Sequence, residues 1–377
     1  MEIRALHCSD IHLDGKFPLT PGRGEQRRQE TRELFTEILE TARGEKVDVV
    51  LIAGDLFDHS LVSPGTIAFI KEKIKALDPL PVVIAPGNKD PFTADSPYSY
   101  SDWPPNTIIF NTNRLKAIEI KEKKLVIHGA ANKSGDDSYP IMKSFAARKK
   151  EFLQILMFHG TDTEIAPAGK TVCLPFSGSE LAQCPVNYIA LGHLHDYRRL
   201  SPGEGNSCAC YCGAPDFRSF HDTGEKGIIV ARITQEGTET RLLPAFKRRY
   251  FTLPVECSPA ETSEKLLERV RTMAKEKDWS SSVVRIVLTG SISPSLAAGI
   301  KRIRDDLAPH FFGVSVFNEA AIIQDMKSMK GSPSTLTAFV GAIEKRMERA
   351  GREELLLLAE SLSVGIEAFS PQESVAQ

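Results

Sequence analysis

Five short apolar stretches in the first half of the chain are each followed at once by residues whose side chains can bind metal ions. These residues are Asp10 and His12 (D-I-H), Asp55 and Asp58 (G-D-L-F-D), Asn88 (G-N-K-D), His159 (H-G), and His193 and His195 (G-H-L-H). Imidazole, carboxylate and amide oxygen, without thiolate, suit borderline-hard divalent ions such as Mn²⁺, Fe²⁺ or Zn²⁺. Each motif alone is a weak signal, but five in this order indicate one shared site.

The number of candidate ligands indicates two metal ions rather than one. The residues above without Asp58 are more than one tetrahedral ion can bind. They suit two ions about 3.5–4 Å apart that share a carboxylate. Two such ions activate a bridging water and hold the non-bridging oxygens of a phosphate ester. The ligand set therefore predicts phosphoester hydrolysis.

The apolar stretches have the composition of buried strands, and helical patterns separate some of them. Strands are predicted at 3–9, 47–53, 81–85, 152–158 and 186–192, and helices at 25–43 and 63–77. Ser63 and Pro64 suit the N-cap and first turn of the second helix. This alternation predicts a layered α/β or α+β domain, in which the strand ends bring the candidate ligands together.

The second half of the chain has a different pattern. Residues 227–245 predict a β-hairpin that closes a sheet. A smaller α/β unit follows, with strands predicted at 250–257, 282–291 and 313–320 and helices at 258–278, with a serine N-cap, and at 293–308. Residues after 334 are predicted to be helical. We therefore expect one domain at 1–245, a smaller α/β domain at 246–325 and a helical C-terminal segment at 326–377.

The composition favours a soluble globular protein. The 377 residues carry a net charge of −2, so binding to DNA would need a local basic patch. No apolar run approaches the ~18 residues of a membrane span, and the N-terminal residues lack signal-peptide features, so we expect a cytoplasmic protein. The seven cysteines are expected to be free thiols. Cys208, Cys210 and Cys212 alternate, which places them on one face of a strand.

The motif series D-x-H, G-D-x-x-D, G-N-x-D, H-G and G-H-x-H resembles that of the calcineurin-like metallophosphoesterase superfamily. The stretches SDIHLD and GDLFD, together with YCGAPDFRSF after G-H-L-H, resemble SbcD-type DNA repair exonucleases, especially the bacterial YhaO-like branch. The resemblance implies a β-sandwich flanked by helices, with an α/β cap and a helical tail. It also implies hydrolysis of DNA phosphodiester bonds, as an exonuclease or endonuclease.

The resemblance further implies how the ligands are divided between two ions, most simply Mn²⁺. One ion would be bound by Asp10, His12 and His195, the other by Asn88, His159 and His193, and Asp55 would bridge the two. A hydroxide held by the ions would attack the phosphorus in line, while the ions neutralise the developing charge.

Lys89 departs from the family pattern, which has a histidine at this position of G-N-H-D, near the leaving oxygen. In the superfamily the last aspartate of G-D-x-x-D commonly orients that histidine. Asp58 is therefore expected to form an ion pair with Lys89. Three roles are open for Lys89: a general acid, a loss of general-acid function that costs about 10²–10⁴ in rate, or a fixed charge on the phosphate. The simplest alternative is a solvated loop residue. We favour a weakened or altered nuclease with an intact metal site.

Two basic clusters are candidate DNA contacts. One consists of Arg241, Lys247, Arg248 and Arg249, and the other lies within residues 22–32. The resemblance implies DNA as a partner, an SMC-like coiled-coil ATPase that docks on the C-terminal helices, and a homodimer. Two other functions are open: a metallophosphoesterase acting on nucleotides or other small phosphate esters, and a catalytically silenced DNA-binding subunit of an SMC-like ATPase complex.

Overall fold

The computed structural model describes residues 1–20, 22–100, 102–146, 151–165, 171–200, 208–323 and 335–347, and the single residues 358, 361 and 365. The chain divides into two units, Met1–Tyr250 and Phe251–Gln377. No helix among these residues is long and apolar enough to cross a membrane.

The first unit contains two six-stranded sheets with helices around them. Its strands are β1 (Glu2–Cys8), β2 (Val49–Ile52), β3 (Val82–Ile84), β4 (Thr107–Ile109), β5 (Lys116–Ile120), β6 (Leu125–Gly129), β7 (Leu153–His159), β8 (Tyr188–Gly192), β9 (Arg198–Leu200), β10 (Cys208–Tyr211), β11 (Gly227–Thr234) and β12 (Thr238–Pro244). Its α-helices are α1 (Gly24–Gly44), α2 (Pro64–Lys75), α3 (Pro97–Tyr100) and α4 (Gly178–Ala182), and 3₁₀ turns lie at Lys121–Lys123 and Ile141–Ser144.

The strand order brings the ends of several parallel strands to the same level. The first sheet has the order β12-β11-β1-β2-β3-β4, with β1 to β4 parallel and the β11–β12 hairpin antiparallel. Cys8 pairs with Ile52, and Ile52 with Ile84. The second sheet has the order β5-β6-β7-β8-β10-β9, and His159 pairs with Gly192. The chain segments that follow these strands are therefore neighbours.

Apolar side chains fill the space between the two sheets and also cover the outer face of each sheet. Alternate residues such as Leu51 of β2 and Ile155 of β7 pack in the core between the sheets. Residues of β1 and β2 on the other face of the first sheet pack against α1 and α2. The predicted β-sandwich flanked by helices is confirmed. Cys208, Cys210 and Cys212 are buried free thiols in the core between the sheets.

The second unit is a smaller α/β assembly. Its elements are β13 (Tyr250–Cys257, beginning at the last residue of the first unit), α5 (Ser263–Glu276), β14 (Val283–Ile292), α6 (Pro294–Ala298), α7 (Ile300–Leu307), a 3₁₀ turn (Ala308–His310), β15 (Gly313–Asn318), β16 (Ala321–Ile322) and α8 (Thr335–Met347). The sheet order is β13-β14-β15, with β16 paired to β14. Leu266 and Val270 of α5 pack with Ile286 of β14 in its core.

Two helix predictions were wrong in detail. The N-cap of α5 is Thr262, whose side chain accepts a hydrogen bond from the Lys265 backbone, and not a serine. The helix predicted at 293–308 is divided at Gly299 into α6 and α7, in line with the low helix propensity of glycine. In contrast, Ser63 caps α2 as predicted. Of the predicted helical tail, α8 is confirmed and most of 348–377 lies outside the described residues.

Candidate metal centre

The segment after β1 continues the strand pairing into the segment after β2. The backbone N–H of Asp10 donates to the carbonyl of Gly54 at 3.0 Å, and that of His12 donates to the carbonyl of Asp55 at 2.9 Å. These backbone hydrogen bonds hold the segment that carries Asp10 and His12 beside the segment that carries Asp55, without any side-chain contact.

Several predicted ligands have a left-handed backbone conformation, which is uncommon for residues other than glycine. The φ angles are 55° at Asp10, 54° at His12, 53° at Asp55 and 111° at His193. Such conformations cost on the order of 1–3 kcal/mol each and are concentrated at functional sites. We infer that the rest of the fold stabilises these unfavourable backbone conformations, which direct the ligand side chains into the site.

Gly87, just before Asn88, is a glycine because the chain has no room for a side chain there. A Cβ at Gly87 would lie 2.6 Å from the backbone nitrogen of Asp55 and closer still to its Oδ1. The missing side chain lets the segment after β3 approach the segment after β2, which brings Asn88 towards Asp55.

Asp10, His12 and His195 form the first group of potential ligands. One donor atom from each lies within 4.8 Å of the others, and His195 Nε2 is 3.8 Å from Asp10 Oδ1. Among the described residues, Asp10 Oδ1 and His12 Nε2 are buried without a hydrogen-bond partner. Because a buried polar atom without a partner is costly, these two atoms are suited to a bound cation.

His159, Asn88 and His193 form the second group. His159 Nε2 lies 3.0 Å from Asn88 Oδ1, and the ring centres of His159 and His193 are 5.2 Å apart. Asp55 lies between the two groups, since its Oδ2 is 3.7 Å from His12 Nε2 and 3.6 Å from His159 Nε2. The structure thus brings all seven predicted ligands into one cluster of nitrogen and oxygen donors, buried except for the partly exposed His195, and this donor set fits divalent cations.

Further hydrogen bonds orient the histidines. His12 Nδ1 lies 2.6 Å from Asp58 Oδ1, and His159 Nδ1 lies 2.9 Å from the Ala53 carbonyl. Each contact leaves the Nε2 atom for the site, as is usual for histidines that bind metals. Asp58 pairs with His12 and does not form the expected ion pair with Lys89. Burial acts to raise the pKa of Asp58, but His12 and, more weakly, the charges of Arg218 and Lys89 lower it.

The carboxylate of Asp90 connects the segments that follow β2 and β3. Its Oδ1 accepts hydrogen bonds from the backbone N–H groups of Asp55 (2.9 Å) and Gly87 (2.6 Å). Its Oδ2 accepts from Leu56 N–H (2.8 Å) and from the Tyr98 hydroxyl (2.7 Å). Asp90 is fully buried, and burial together with the charge of Asp55 raises its pKa to about 7.

The electrostatics of the centre favour a cation. Burial and the neighbouring Asp10 raise the pKa of Asp55 well above its usual value. Burial also acts to raise the pKa of Asp10, but the surrounding histidines, His159 first, outweigh it and lower that pKa to about 2. Burial and then Arg218 lower the pKa of His12 to about 4, which keeps its imidazole neutral near pH 7. A neutral imidazole beside carboxylates is ready to bind a metal ion.

The side chain of Lys89 is exposed, but its backbone is part of the centre. Its N–H donates to Asp55 Oδ1 at 2.8 Å, and its carbonyl accepts from the His59 N–H at 2.8 Å. The residue therefore helps to hold Asp55 in place regardless of its side chain. The role of the ammonium group stays a prediction.

Most of the predicted DNA contacts are engaged with acidic neighbours. Ion pairs join Arg241 to Glu45, Lys247 to Glu37 and Arg248 to Glu30. The second cluster is paired as well, with Arg27 to Glu30 and Asp216, Arg28 to Glu25, and Arg32 to Asp14. Arg249 is exposed, lies over the ring of Phe246 and has no ion pair within the described part of the chain. Ion pairing lowers the positive charge that these clusters offer to phosphates.

Sequence reasoning missed several residues that surround the centre. Asp90 is the last residue of the G-N-K-D motif, so its residue type and spacing could have identified it from the sequence. Asp222, whose Oδ1 lies 3.8 Å from His195 Nδ1, follows no predicted strand and gave no signal. The sulfur of Cys173 lies 3.7 Å from His193 Nδ1, and a lone cysteine in a loop could not have been found.

Two layered sheets that bring such a ligand set to their strand ends define a metal-dependent phosphoesterase. Residues 3–197 match the family described as calcineurin-like phosphoesterase. Because the match covers half of the chain, the protein belongs to the calcineurin-like phosphoesterase family, whose members bind divalent metals.

Individual relatives are similar over different lengths. The chain is 24% identical over 375 residues to the "Uncharacterized metallophosphoesterase YhaO" of Bacillus subtilis, covering 94% of this chain and 89% of that protein. It is 30% identical over 226 residues to the "DNA double-strand break repair protein Mre11" of Saccharolobus solfataricus, covering 57% of this chain and only 55% of that relative. The solved structure of TT1561 from Thermus thermophilus is 14% identical, with a TM-score of 0.38 and coverage of 64% and 99%.

Proposed function

We propose that the protein is a two-metal phosphodiesterase that hydrolyses DNA. The observation that supports this most directly is the position of Asp55, whose Oδ2 lies between His12 Nε2 and His159 Nε2 at nearly equal distances. A carboxylate between two sets of donors is what a pair of ions about 3.5–4 Å apart requires.

In this proposal the seven ligands are divided as the family resemblance implies. Asp10, His12 and His195 would hold one ion, Asn88, His159 and His193 would hold the other, and Asp55 would be shared between them. We propose Mn²⁺ for both ions, with Fe²⁺ and Zn²⁺ as the alternatives to be tested. The ions supply charge neutralisation at the phosphate and a water of lowered pKa.

The remaining steps belong to the chain's own residues. Asp58 holds the ring of His12 through Nδ1, and Asp90 holds the segments that carry Asp55 and Asn88. The exposed side chain of Lys89 is free to reach towards a leaving oxygen, where it acts as a proton donor or as a fixed charge. An ammonium group gives up its proton less readily than an imidazolium, so we expect weaker turnover than a histidine would give.

We propose DNA as the substrate because the S. solfataricus relative is a DNA double-strand break repair protein. One observation favours a second candidate, which is a phosphoesterase acting on nucleotides or other small phosphate esters. The basic clusters expected to track a DNA backbone are largely neutralised by ion pairs. Small substrates need no such surface.

The partner proposals follow from the first candidate. We propose that the predicted cap at 246–325, most of which belongs to the second unit, shapes access of DNA to a catalytic domain at 1–245. We further propose that the C-terminal segment at 326–377 docks an SMC-like coiled-coil ATPase, and that the protein forms a homodimer in the cytoplasm. If the metal centre does not support hydrolysis, the same proposed contacts with DNA and with the ATPase would make the protein a DNA-binding subunit of that complex.

The test is Mn²⁺-dependent cleavage of an end-labelled DNA duplex and of a nucleotide by the wild type, Lys89→His and Asp55→Ala. Cleavage of DNA by the wild type above the Asp55→Ala background, abolished by EDTA, is the expected result. Cleavage of the nucleotide alone would favour the second candidate. Activity only in Lys89→His would indicate a silenced centre, and unchanged activity in Asp55→Ala would contradict the two-metal assignment.

A further inference from the structure

The loop after β10 carries an arginine that is tied to the metal centre. Two backbone N–H groups of this loop, those of Arg218 and Ser219, donate to Asp222 Oδ2 at 2.7 and 2.8 Å. The other oxygen of the same carboxylate lies 3.8 Å from Nδ1 of His195. Asp222 therefore fixes the position of Arg218 relative to a proposed metal ligand.

The guanidinium group of Arg218 packs beside the residues that orient the first ligand group. It lies 5.1 Å from the ring centre of Phe17. A Cβ added to Gly15 would lie 2.5 Å from Arg218 Nη2 and 3.1 Å from Asp58 Oδ2. The absence of a side chain at Gly15 thus leaves the space in which the guanidinium approaches Asp58. Arg218 and Asp10 also line one small cavity of about 10 Å³, room for about one water.

Arg218 lacks the anionic partner that a half-buried guanidinium normally has. No carboxylate within the described ranges forms an ion pair with it, and no side-chain hydrogen bond satisfies it, although Asp58, Asp216 and Asp222 act on it at longer range. The nearby Arg27 differs, because it pairs with both Glu30 and Asp216. Removing a charge from water without a partner is costly, so an anion at Arg218 would lower the free energy of the site.

We propose that Arg218 binds a phosphate oxygen of the substrate beside the ion held by Asp10, His12 and His195. The inference rests on the proposed function and adds a catalytic residue to it. A guanidinium presents a planar array of N–H donors, stays protonated at any relevant pH and binds phosphate in a fixed orientation. Its charge would stabilise the negative charge that develops on the phosphate, next to a centre in which Lys89 has replaced the usual histidine.

The rival explanation is that Arg218 only packs against Phe17. Arg218→Gln and Arg218→Lys separate the two, with Arg114→Gln as the matched control, because Arg114 is an exposed arginine over the ring of Tyr139. Four quantities are measured. Mn²⁺ binding and the affinity of the Mn²⁺-loaded protein for inorganic phosphate are measured by calorimetry, and kcat and KM are measured for bis(p-nitrophenyl) phosphate.

For Arg218→Gln we expect unchanged Mn²⁺ binding, phosphate affinity weakened about tenfold to a hundredfold, and a kcat/KM about 10²-fold lower. Arg218→Lys should recover part of both losses, and Arg114→Gln should match the wild type. Phosphate affinity in both Arg218 variants equal to that of the control would overturn the proposal. If the wild type hydrolyses no phosphodiester, the proposed function fails, while phosphate affinity still decides the role of Arg218.

Discussion

Replacing Asp90 with asparagine tests whether this residue holds the metal centre together. The carboxylate accepts four hydrogen bonds, two at each oxygen, from Asp55, Gly87, Leu56 and Tyr98. An asparagine has one oxygen and one NH₂ group, and the NH₂ group can only donate. With the amide oxygen towards Asp55 and Gly87, the Tyr98 hydroxyl can turn and accept from the NH₂ group, so only the Leu56 N–H would face another donor and lose its partner.

The expected cost follows from this lost contact. A buried donor without a partner costs about 1–3 kcal/mol, so Asp90→Asn should lower the free energy of unfolding by about 1–3 kcal/mol. Tyr98→Phe removes one of the four donors and should cost only about 1 kcal/mol. Urea unfolding of the metal-free proteins near pH 4, where folded Asp90 keeps its proton and the buried charge does not yet penalise the wild type, measures both values.

Asp102→Asn is the matched control, because Asp102 is exposed and should leave stability unchanged. A second readout is Mn²⁺ affinity, which should fall in Asp90→Asn because Asp55 and Asn88 lose their support. An Asp90→Asn protein as stable as the control, with wild-type Mn²⁺ affinity, would refute the role assigned to Asp90.

Three further predictions concern the same centre. Asp58→Ala removes the partner of His12 Nδ1 and should weaken Mn²⁺ binding about 10–100-fold in calorimetry. Gly87→Ala should abolish Mn²⁺ binding, since its Cβ would collide with Asp55. Between about pH 4 and pH 7 the folded state keeps the proton of Asp90 that the unfolded state has lost, so the stability of the metal-free protein should fall as the pH rises through this window. Asp90→Asn should remove this part of the pH dependence.

Each of these has its own contradicting outcome. Gly65→Ala is the control for Gly87→Ala, because the nearest atom to its Cβ would be Ser63 Oγ at 3.8 Å. Equal Mn²⁺ binding by the two alanine variants would show that the space at Gly87 is unimportant. Mn²⁺ affinity unchanged in Asp58→Ala would argue against the orientation of His12. An identical pH dependence with and without Asp90 would mean that another group titrates.

The sequence allowed the strands that precede the candidate ligands to be predicted, together with those ligands, because both signals are local. Each apolar stretch is long enough to indicate a buried strand, and each is followed at once by a ligand motif. β4 and β9 were not predicted. They are as short as β3, but β3 is wholly apolar and buried, whereas β4 is only partly buried and β9 contains two exposed arginines. The division of α6 from α7 depends on one glycine, Gly299. The sequence did not predict this break, because many helices tolerate an isolated glycine.

The interactions around the ligands could not be predicted in the same way, because they join residues far apart in the chain. Asp58 pairs with His12, and not with Lys89, because the backbone pairing of the segments after β1 and β2 places these side chains together. The neutralisation of Arg248 depends on Glu30, which lies 218 residues away. Composition gives the number of charges, but only the fold decides which of them are paired.

Crystals soaked in Mn²⁺ would test most directly whether Asp55 bridges two metal ions, through anomalous scattering at the manganese edge. We predict two anomalous peaks about 3.5–4 Å apart, one on each side of Asp55, one beside His12 and the other beside His159. A single peak, or two peaks that do not share Asp55, would contradict it.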